Sequence, residues 1–130
     1  MKRAESVLLF NFEEGGQLKA IRMALFLMQV EGKLVKKEEY MLPLKLLLDK
    51  ESIPAASSSS GQQELKGQMI VFVGLGEEKL TGLLSLLRSN PECGEIPYKA
   101  ILTDTNKEWN AYALMHELQK EHAAVLRRTV

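Results

Sequence analysis

Residues 69–87, MIVFVGLGEEKLTGLLSLL, contain the change from strand to helix that decides the fold of this chain. The first five residues, Met69–Val73, form a continuous apolar run, which is typical of a strand buried on both faces of a sheet. After two glycines, residues 77–88 have the leucine spacing of a helix that packs on a sheet, and a following Asn-Pro pair ends it. The stretch therefore predicts a strand, a tight turn and a helix.

A second stretch of the same kind lies 62 residues earlier. Residues 7–25, VLLFNFEEGGQLKAIRMAL, align with residues 69–87 without a gap. The alignment pairs similar residues: Phe10 with Phe72, Leu18 with Leu80, Ile21 with Leu83 and Leu25 with Leu87. A duplicated unit would produce this match, and so would the apolar periodicity that any two strand-helix units share. Both origins remain open.

The remaining segments complete two strand-helix-strand units. The predicted strands are residues 7–12, 33–37, 69–73 and 99–104, and the predicted helices are residues 17–30, 40–48, 77–88 and 106–126. Gly32 is expected to end the first helix, because glycine is favoured just beyond a helix. Thr105 and Glu108 are expected to form a capping box at the start of the last helix.

Two such units predict an α/β (α+β) chain with the ferredoxin-like plan, a two-layer sandwich with an added C-terminal helix. That plan has a four-stranded antiparallel sheet in the order 4-1-3-2, with helices on one face. It places the apolar strands at residues 7–12 and 69–73 in the centre and the polar strand at residues 33–37 at an edge. The other sheet face needs a cover, either the C-terminal helix or a second chain. A small three-layer α/β sheet of parallel strands is the alternative.

The length of 130 residues predicts one domain, residues 1–130. Its two halves, residues 5–48 and 68–128, are joined by residues 49–67, which contain four consecutive serines and are predicted to form a flexible linker. The 17 basic and 17 acidic residues balance, which argues against a nucleic-acid binder. No apolar stretch has the length of a membrane span, so a cytoplasmic protein without membrane contact is expected.

No motif in the chain predicts a catalytic, cofactor or metal site. The turn at Gly74 and Gly76 continues with acidic residues and lacks the third glycine of a dinucleotide loop, so it is interpreted as a tight turn. His116 and His122 are six residues apart on the last helix, so one zinc ion cannot bind both. Cys93 has no neighbouring base or cation that would activate it. We therefore expect a protein that is not an enzyme and has no cofactor.

The first helix carries a second apolar face. At the positions that align with Ser85, Arg88, Ser89 and Glu92, the first helix carries Met23, Phe26, Leu27 and Val30. A helix that is apolar on two faces must be covered twice. The second cover is either the segment at residues 40–48 or another subunit, and the latter predicts a homo-oligomer, most simply a dimer.

The last helix places its aromatic and imidazole groups away from its apolar stripe: Trp109, Tyr112 and His116. Trp109 is the single tryptophan of the chain. It is interpreted either as a packing anchor against the preceding loop or as a contact for a partner protein or a small metabolite.

The second half resembles a family of small bacterial proteins known as domain of unknown function 3783. The resemblance rests on MIVFVGLGEEKLTGLLSLLR and on ILTDTNKEWNAYALMHELQKEH, which contains Thr103, Asn106 and Trp109. The family has no assigned activity, so the resemblance implies no catalytic residue. It implies that these three residues act together, as a strand-to-helix corner or as a recognition site.

These observations favour an uncharacterised bacterial protein that acts as a non-enzymatic, self-associating interaction or regulatory module. The alternative is a small-molecule effector-binding domain, or sensor, with a cleft near Trp109 and the loop after Gly94. That alternative is an analogy with other ferredoxin-like domains.

Overall fold

The computed structural model describes residues 5–48, 65 and 67–128, and it describes side chains as far as Glu121. Within these residues the strands are β1 (Ser6–Phe10), β2 (Glu31–Leu34), β3 (Met69–Val73) and β4 (Tyr98–Ile101). The helices are α1 (Gly16–Leu27), α2 (Leu44–Leu47), α3 (Glu77–Ser89) and α4 (Ala111–Arg128). The predicted linker, residues 49–67, lies outside the described residues except for Leu65 and Gly67.

Each predicted strand and helix corresponds to an observed one, and all but β3 have shifted ends. The strand at Met69–Val73 has the predicted bounds, because an unbroken apolar run is followed at once by Gly74, whose φ of 71° few other residues adopt. The short helix α2 begins after Pro43, whose φ of −57° suits the first turn of a helix. The chain is therefore a mixed α+β protein.

The strand order differs from the ferredoxin-like prediction. The sheet has the order β2-β1-β3-β4, in which β1 pairs in parallel with β2 and β3 pairs in parallel with β4. The central pair, β1 and β3, is antiparallel. The prediction of two central apolar strands and a polar edge strand is confirmed, but the order 4-1-3-2 and the fully antiparallel sheet are wrong.

The position of β2 explains the difference. Only residues 28–30 connect α1 to β2, and β2 lies directly under α1 beside β1. Gly32 permits this approach, because a Cβ atom there would lie 2.7 Å from Leu25 Cδ1. Gly32 therefore serves strand-helix packing instead of ending α1. The helix ends instead through Gln29, which has a φ of 58°.

Helices cover both faces of the sheet. One apolar core joins α1 and α3 to the sheet through Val7, Leu9, Ile70 and Phe72. A second core joins α2 and α4 to the opposite face through Leu8, Phe10, Met69, Val71 and Val73. Of the two covers considered for this second face, the structure has the C-terminal helix, assisted by α2. The arrangement is thus three-layered, as in the alternative prediction, but its sheet is mixed and not parallel.

The alignment of the two halves holds for the helices and fails by one residue for the strands. Leu18, Ile21 and Leu25 of α1 face the core, as do the aligned Leu83 and Leu87 of α3. Phe10 and Phe72, however, belong to cores on opposite faces. A slip of one residue turns a strand side chain to the other face. The structurally equivalent residue of Val7 is Ile70, because both face the same core.

Candidate functional site

The first candidate surface is the outer face of α1. Met23, Phe26 and Leu27 are 57%, 76% and 63% exposed, and they project away from the core residues of the same helix. We call these three residues the α1 outer face. Val30, which was predicted to belong to it, is 6% exposed and packs in the core below α1. Three of the four residues predicted for the second apolar face are therefore exposed, and the fourth is buried.

The segment at residues 40–48 does not cover the α1 outer face. Tyr40, Leu44 and Leu47 are buried in the core on the opposite side of the sheet. Within the described chain, the α1 outer face is thus open to solvent. Arg22, next to Met23 in the chain, pairs with Glu14 at 3.0 Å, and both side chains are largely exposed.

The second candidate surface begins at the corner between β4 and α4. The Thr103 amide donates to Asn106 Oδ1 at 2.8 Å, and the Asn106 amide donates to Thr103 Oγ1 at 3.0 Å. Asn106 Nδ2 also donates to the Ile101 carbonyl at 2.9 Å. Asn106 is 8% exposed, so its carboxamide is a buried group with its bonds made inside the corner.

This corner replaces the predicted capping box. Thr105 has helical backbone angles and makes no side-chain cap, while the Glu108 carboxylate pairs with Lys45 Nζ at 2.7 Å. The Lys45 ammonium holds the pKa of Glu108 below its ordinary value. Asn110 caps α4, because its Oδ1 accepts from the Ala113 amide at 2.9 Å. The helix therefore starts at Ala111 and not at Asn106.

Trp109 packs on the core and also lines a cleft. Its backbone is fixed, since its amide donates to the Asn106 carbonyl at 2.9 Å and its carbonyl accepts from the Leu44 amide at 2.8 Å. The indole is half-buried against the core beneath α2 and α4. The same side chain also lines a cleft, so Trp109 is a packing anchor with one surface available for contact.

That cleft, which we call the edge groove, follows the outer edge of β4 and has a volume of about 450 Å³. It lies between α3 on one sheet face and α4 on the other. Its walls include Leu80, Leu84, Ile101, Trp109, Leu118 and Glu121. A cleft of this volume with apolar walls and a few polar groups has the usual character of a ligand site.

The structure brings some of the predicted contact residues together and separates others. Thr103, Asn106 and Trp109 line the edge groove. His116 is exposed on another side of α4, and Tyr112 packs edge-on against Tyr40 with ring centroids 6.1 Å apart. The loop after Gly94 borders a separate depression, which shares Lys99 with the cleft that Trp109 lines.

Sequence reasoning missed the residues that α3 and α4 contribute to the edge groove. Leu80 and Leu84 belong to the leucine spacing that predicted α3 and pack against the core, but both are only half-buried and reach the sheet edge. Glu117 and Glu121 have the four-residue spacing that puts two carboxylates on one helix face. That spacing was a usable signal, but only the topology shows that this face borders β4.

The glycine turn and Cys93 have structural explanations. Gly76 precedes α3 in an extended conformation, and Glu77 and Glu78 occupy the first turn, where carboxylates interact favourably with the helix dipole. Cys93 is fully buried, and this burial raises the pKa of its thiol, so the reactive thiolate is disfavoured. The described residues contain no cluster of three or more His, Cys, Asp or Glu that could hold a metal ion.

Comparisons with known proteins gave a match for the second half of the chain. No helix in the described ranges combines the length and apolarity that a bilayer crossing requires. No curated protein and no solved structure matches the chain. Residues 68–125, which contain β3, α3, β4 and most of α4, match one family model. The resemblance found from the two sequence motifs is thus confirmed, because the family model that matches these residues is described as Domain of unknown function (DUF3783).

Proposed function

We propose that this protein is a non-enzymatic interaction or regulatory module of the cytoplasm, which self-associates as a homodimer through the α1 outer face. One observation carries the proposal: Met23, Phe26 and Leu27 are each more than half exposed on a single helix face. Contiguous exposed apolar side chains of this size are typical of protein contact sites. The proposal assigns no catalytic residue, cofactor or metal.

The surroundings of the α1 outer face favour a second copy as the partner. The intrachain alternative, residues 40–48, packs on the other side of the sheet and cannot reach it. The neighbouring Arg22 is already paired with Glu14, so this cation would enter the contact with its charge balanced. A two-fold contact would bury the same three apolar side chains from each copy.

The test is the mass of the protein in solution, measured by light scattering and sedimentation equilibrium at micromolar concentrations. The 130-residue chain has a mass of 14.6 kDa, and we expect a species of twice that mass. Phe26→Glu and Met23→Lys place a charge in the contact and should each raise the dimer dissociation constant by about tenfold or more.

Met41→Lys is the matched control, because Met41 is 61% exposed but lies outside α1. It should leave the mass unchanged. A wild-type protein that stays monomeric at these concentrations contradicts the proposal. So does a dimer that Phe26→Glu and Met23→Lys leave intact.

The edge groove supports a second candidate function, ligand binding by a sensor or effector domain. The specific observation is the cleft of about 450 Å³ that the single tryptophan lines. Titration with a panel of metabolites and nucleotides tests it, because a ligand beside Trp109 should change the indole emission. Leu84→Lys, which fills the groove from α3, should abolish any such change.

A fluorescence change that survives Leu84→Lys would place the ligand elsewhere. Thr81→Lys provides the control for an added cation on α3, since Thr81 is exposed and lies outside the edge groove.

A further inference from the structure

The floor of the edge groove is the outer edge of β4, which carries backbone hydrogen-bonding groups. In the described sheet, β4 is the last strand and pairs on one side with β3. The Leu102 amide donates to the Phe72 carbonyl at 2.9 Å, so alternate residues of β4 turn their backbone toward β3. The intervening residues, Lys99 and Ile101, therefore direct their amides and carbonyls into the groove.

Asn106 already pairs with part of this edge. Its carboxamide donates to the Ile101 carbonyl at 2.9 Å and accepts from the Thr103 amide at 2.8 Å. One residue of an added strand would make this same pair of bonds. The described chain provides no such partner for the Lys99 amide, the Lys99 carbonyl and the Ile101 amide, so these three groups remain available to a ligand.

The two walls of the edge groove differ in chemistry. On the α3 side the groove presents Leu80, Leu84 and the Ile101 side chain, and Ile101 is 53% exposed. The Lys99 side chain on this side turns to the Ile96 carbonyl, to which Nζ donates at 2.9 Å. The α3 wall is therefore mainly apolar.

The α4 side of the groove presents Glu117 and Glu121 around Leu118. Glu117 also contacts Lys120 at 3.2 Å, in an exposed pair that water screens. The α4 wall is therefore acidic. A ligand that lies along β4 meets an apolar wall on one side and an acidic wall on the other.

We infer that the edge groove binds an extended peptide that adds to β4 as a further strand, with apolar side chains toward α3 and basic side chains toward α4. Alternate residues of a strand point to opposite faces, so a sequence that alternates apolar and basic residues matches both walls. This inference rests on the second candidate function and names its ligand class: a peptide with an available backbone, and not a metabolite.

The probe is the peptide acetyl-Val-Lys-Val-Lys-Val-amide, titrated into the full chain with Trp109 emission and calorimetry as readouts. Acetyl-Val-Glu-Val-Glu-Val-amide is the charge control and should not bind. Two further probes are N-methylated at the valines or at the lysines, which blocks one set of alternate amides in each. One of these two should lose about tenfold or more in affinity and the other should not, because only one set faces β4.

Variants of the chain test the acidic wall separately. Combined Glu117→Gln and Glu121→Gln should weaken binding of the lysine peptide by roughly two- to fivefold for each carboxylate. Combined Glu77→Gln and Glu78→Gln removes the same charge from the first turn of α3, outside the groove, and should have less effect.

Three results would overturn the inference: no binding of the lysine peptide, equal binding of the glutamate peptide, or equal loss with both N-methylated peptides. A metabolite that binds beside Trp109 while the lysine peptide does not would keep the second candidate function and reject the peptide. Failure of both ligand classes would reject the site itself.

Discussion

At the scale of single residues, Asn106 is the group on which the corner depends. It is 8% exposed and joins Ile101 and Thr103 through three hydrogen bonds. Asn106→Ala leaves the Ile101 carbonyl and the Thr103 amide without their partner in a partly buried site. We expect the free energy of unfolding, measured by urea denaturation, to fall by about 1–3 kcal/mol.

Asn90→Ala is the matched control for Asn106→Ala. Asn90 is exposed, and its side chain accepts one hydrogen bond, from the Glu92 amide at 3.0 Å. Loss of this hydrogen bond should lower the free energy of unfolding by about 1 kcal/mol or less. Equal effects of the two substitutions would show that the corner is held by its backbone alone.

Because of Tyr40, the free energy of unfolding should depend on pH in the alkaline range. Its ring is 2% exposed and its hydroxyl accepts from the Asn11 amide at 2.7 Å, while burial raises the pKa of the phenol. Above pH 10, about the pKa of an unfolded tyrosine, the unfolded chain releases this proton while the folded chain keeps it. The contribution of the protonated Tyr40 hydroxyl to the free energy of unfolding is therefore complete below pH 10. It is lost as the pH rises through the pKa of Tyr40 in the folded chain.

Tyr40→Phe should change both the level and the slope of this pH dependence. At pH 7 it leaves the Asn11 amide without its acceptor, so the free energy of unfolding should fall by about 1–3 kcal/mol. Above pH 10 the variant should lose less further stability than the parent, and Tyr112, whose pKa burial also raises, retains part of the slope. Parallel curves for the two proteins from pH 8 to 11 would rule out Tyr40 as a contributing group.

At the scale of elements, the turn between α3 and β4 contacts Gln17 in the first half of the chain. Gly94 lies in this turn. It has φ 73° and ψ 178°, a conformation that glycine alone adopts readily. A Cβ atom there would lie 2.9 Å from Gln17 Nε2, which donates to the Gln68 side chain and to the Cys93 carbonyl. Gly94→Ala should therefore lower the free energy of unfolding by about 1–3 kcal/mol.

Gly82→Ala is the comparison within a helix. A Cβ atom on Gly82 would meet only the end of the Met28 side chain, with Cε at 3.0 Å, and that flexible group can move. Because alanine is a better helix former, α3 should gain roughly 0.5–1 kcal/mol. Thermal and urea unfolding of both variants would check the opposite signs, and a loss of stability in Gly82→Ala would show that Met28 cannot shift.

The strands and helices were predictable because each is set by a local pattern. Apolar runs located β1 and β3, and leucine spacing located α3. A strand-to-helix corner was one of the two roles expected for Thr103, Asn106 and Trp109, but the start of α4 was misplaced at Asn106 because a second signal lies in the same stretch. Thr105 and Glu108 have capping-box spacing in the sequence, but Lys45, distant in the chain, binds Glu108 in the fold.

The edge groove shows what a single sequence leaves undetermined. Trp109, Thr103 and Asn106 were found from an unusual motif, whereas Leu80 and Glu121 join them only because β4 is an edge strand between α3 and α4. The exposure of Phe26 was predictable from the comparison of aligned helices. The burial of Val30 was not, because the chain reverses at Gln29 and turns Val30 beneath α1.

At the scale of the whole molecule, the match to the family model begins at residue 68, just before the central strand β3. The match to residues 68–125 contains β3 and β4 but excludes β1, the antiparallel neighbour of β3. Without β1, the apolar strand β3 would have one unpaired edge, and its side chains would lose their contacts with α1 and α2. We therefore expect that a single copy of this half does not close its core.

The pairing of β1 with β3 predicts how an isolated second half would satisfy that edge. The pair is antiparallel and centred on Leu8 opposite Val71, and both strands are apolar throughout. A second β3 could occupy the place of β1, with Val71 opposite Val71 of the other copy. We expect a fragment of residues 65–130 to form a dimer whose urea midpoint rises with protein concentration, because association and folding are then coupled.

The control for this fragment is the full chain carrying Phe26→Glu, which removes the proposed α1 contact but keeps β1 beside β3. Its urea midpoint should be independent of concentration. Val71→Lys in the fragment should prevent assembly, because it places two like charges opposite each other at the centre of the new pair. A fragment that folds as a stable monomer would show that α3 and α4 alone close the core, and that β1 is not needed to complete β3.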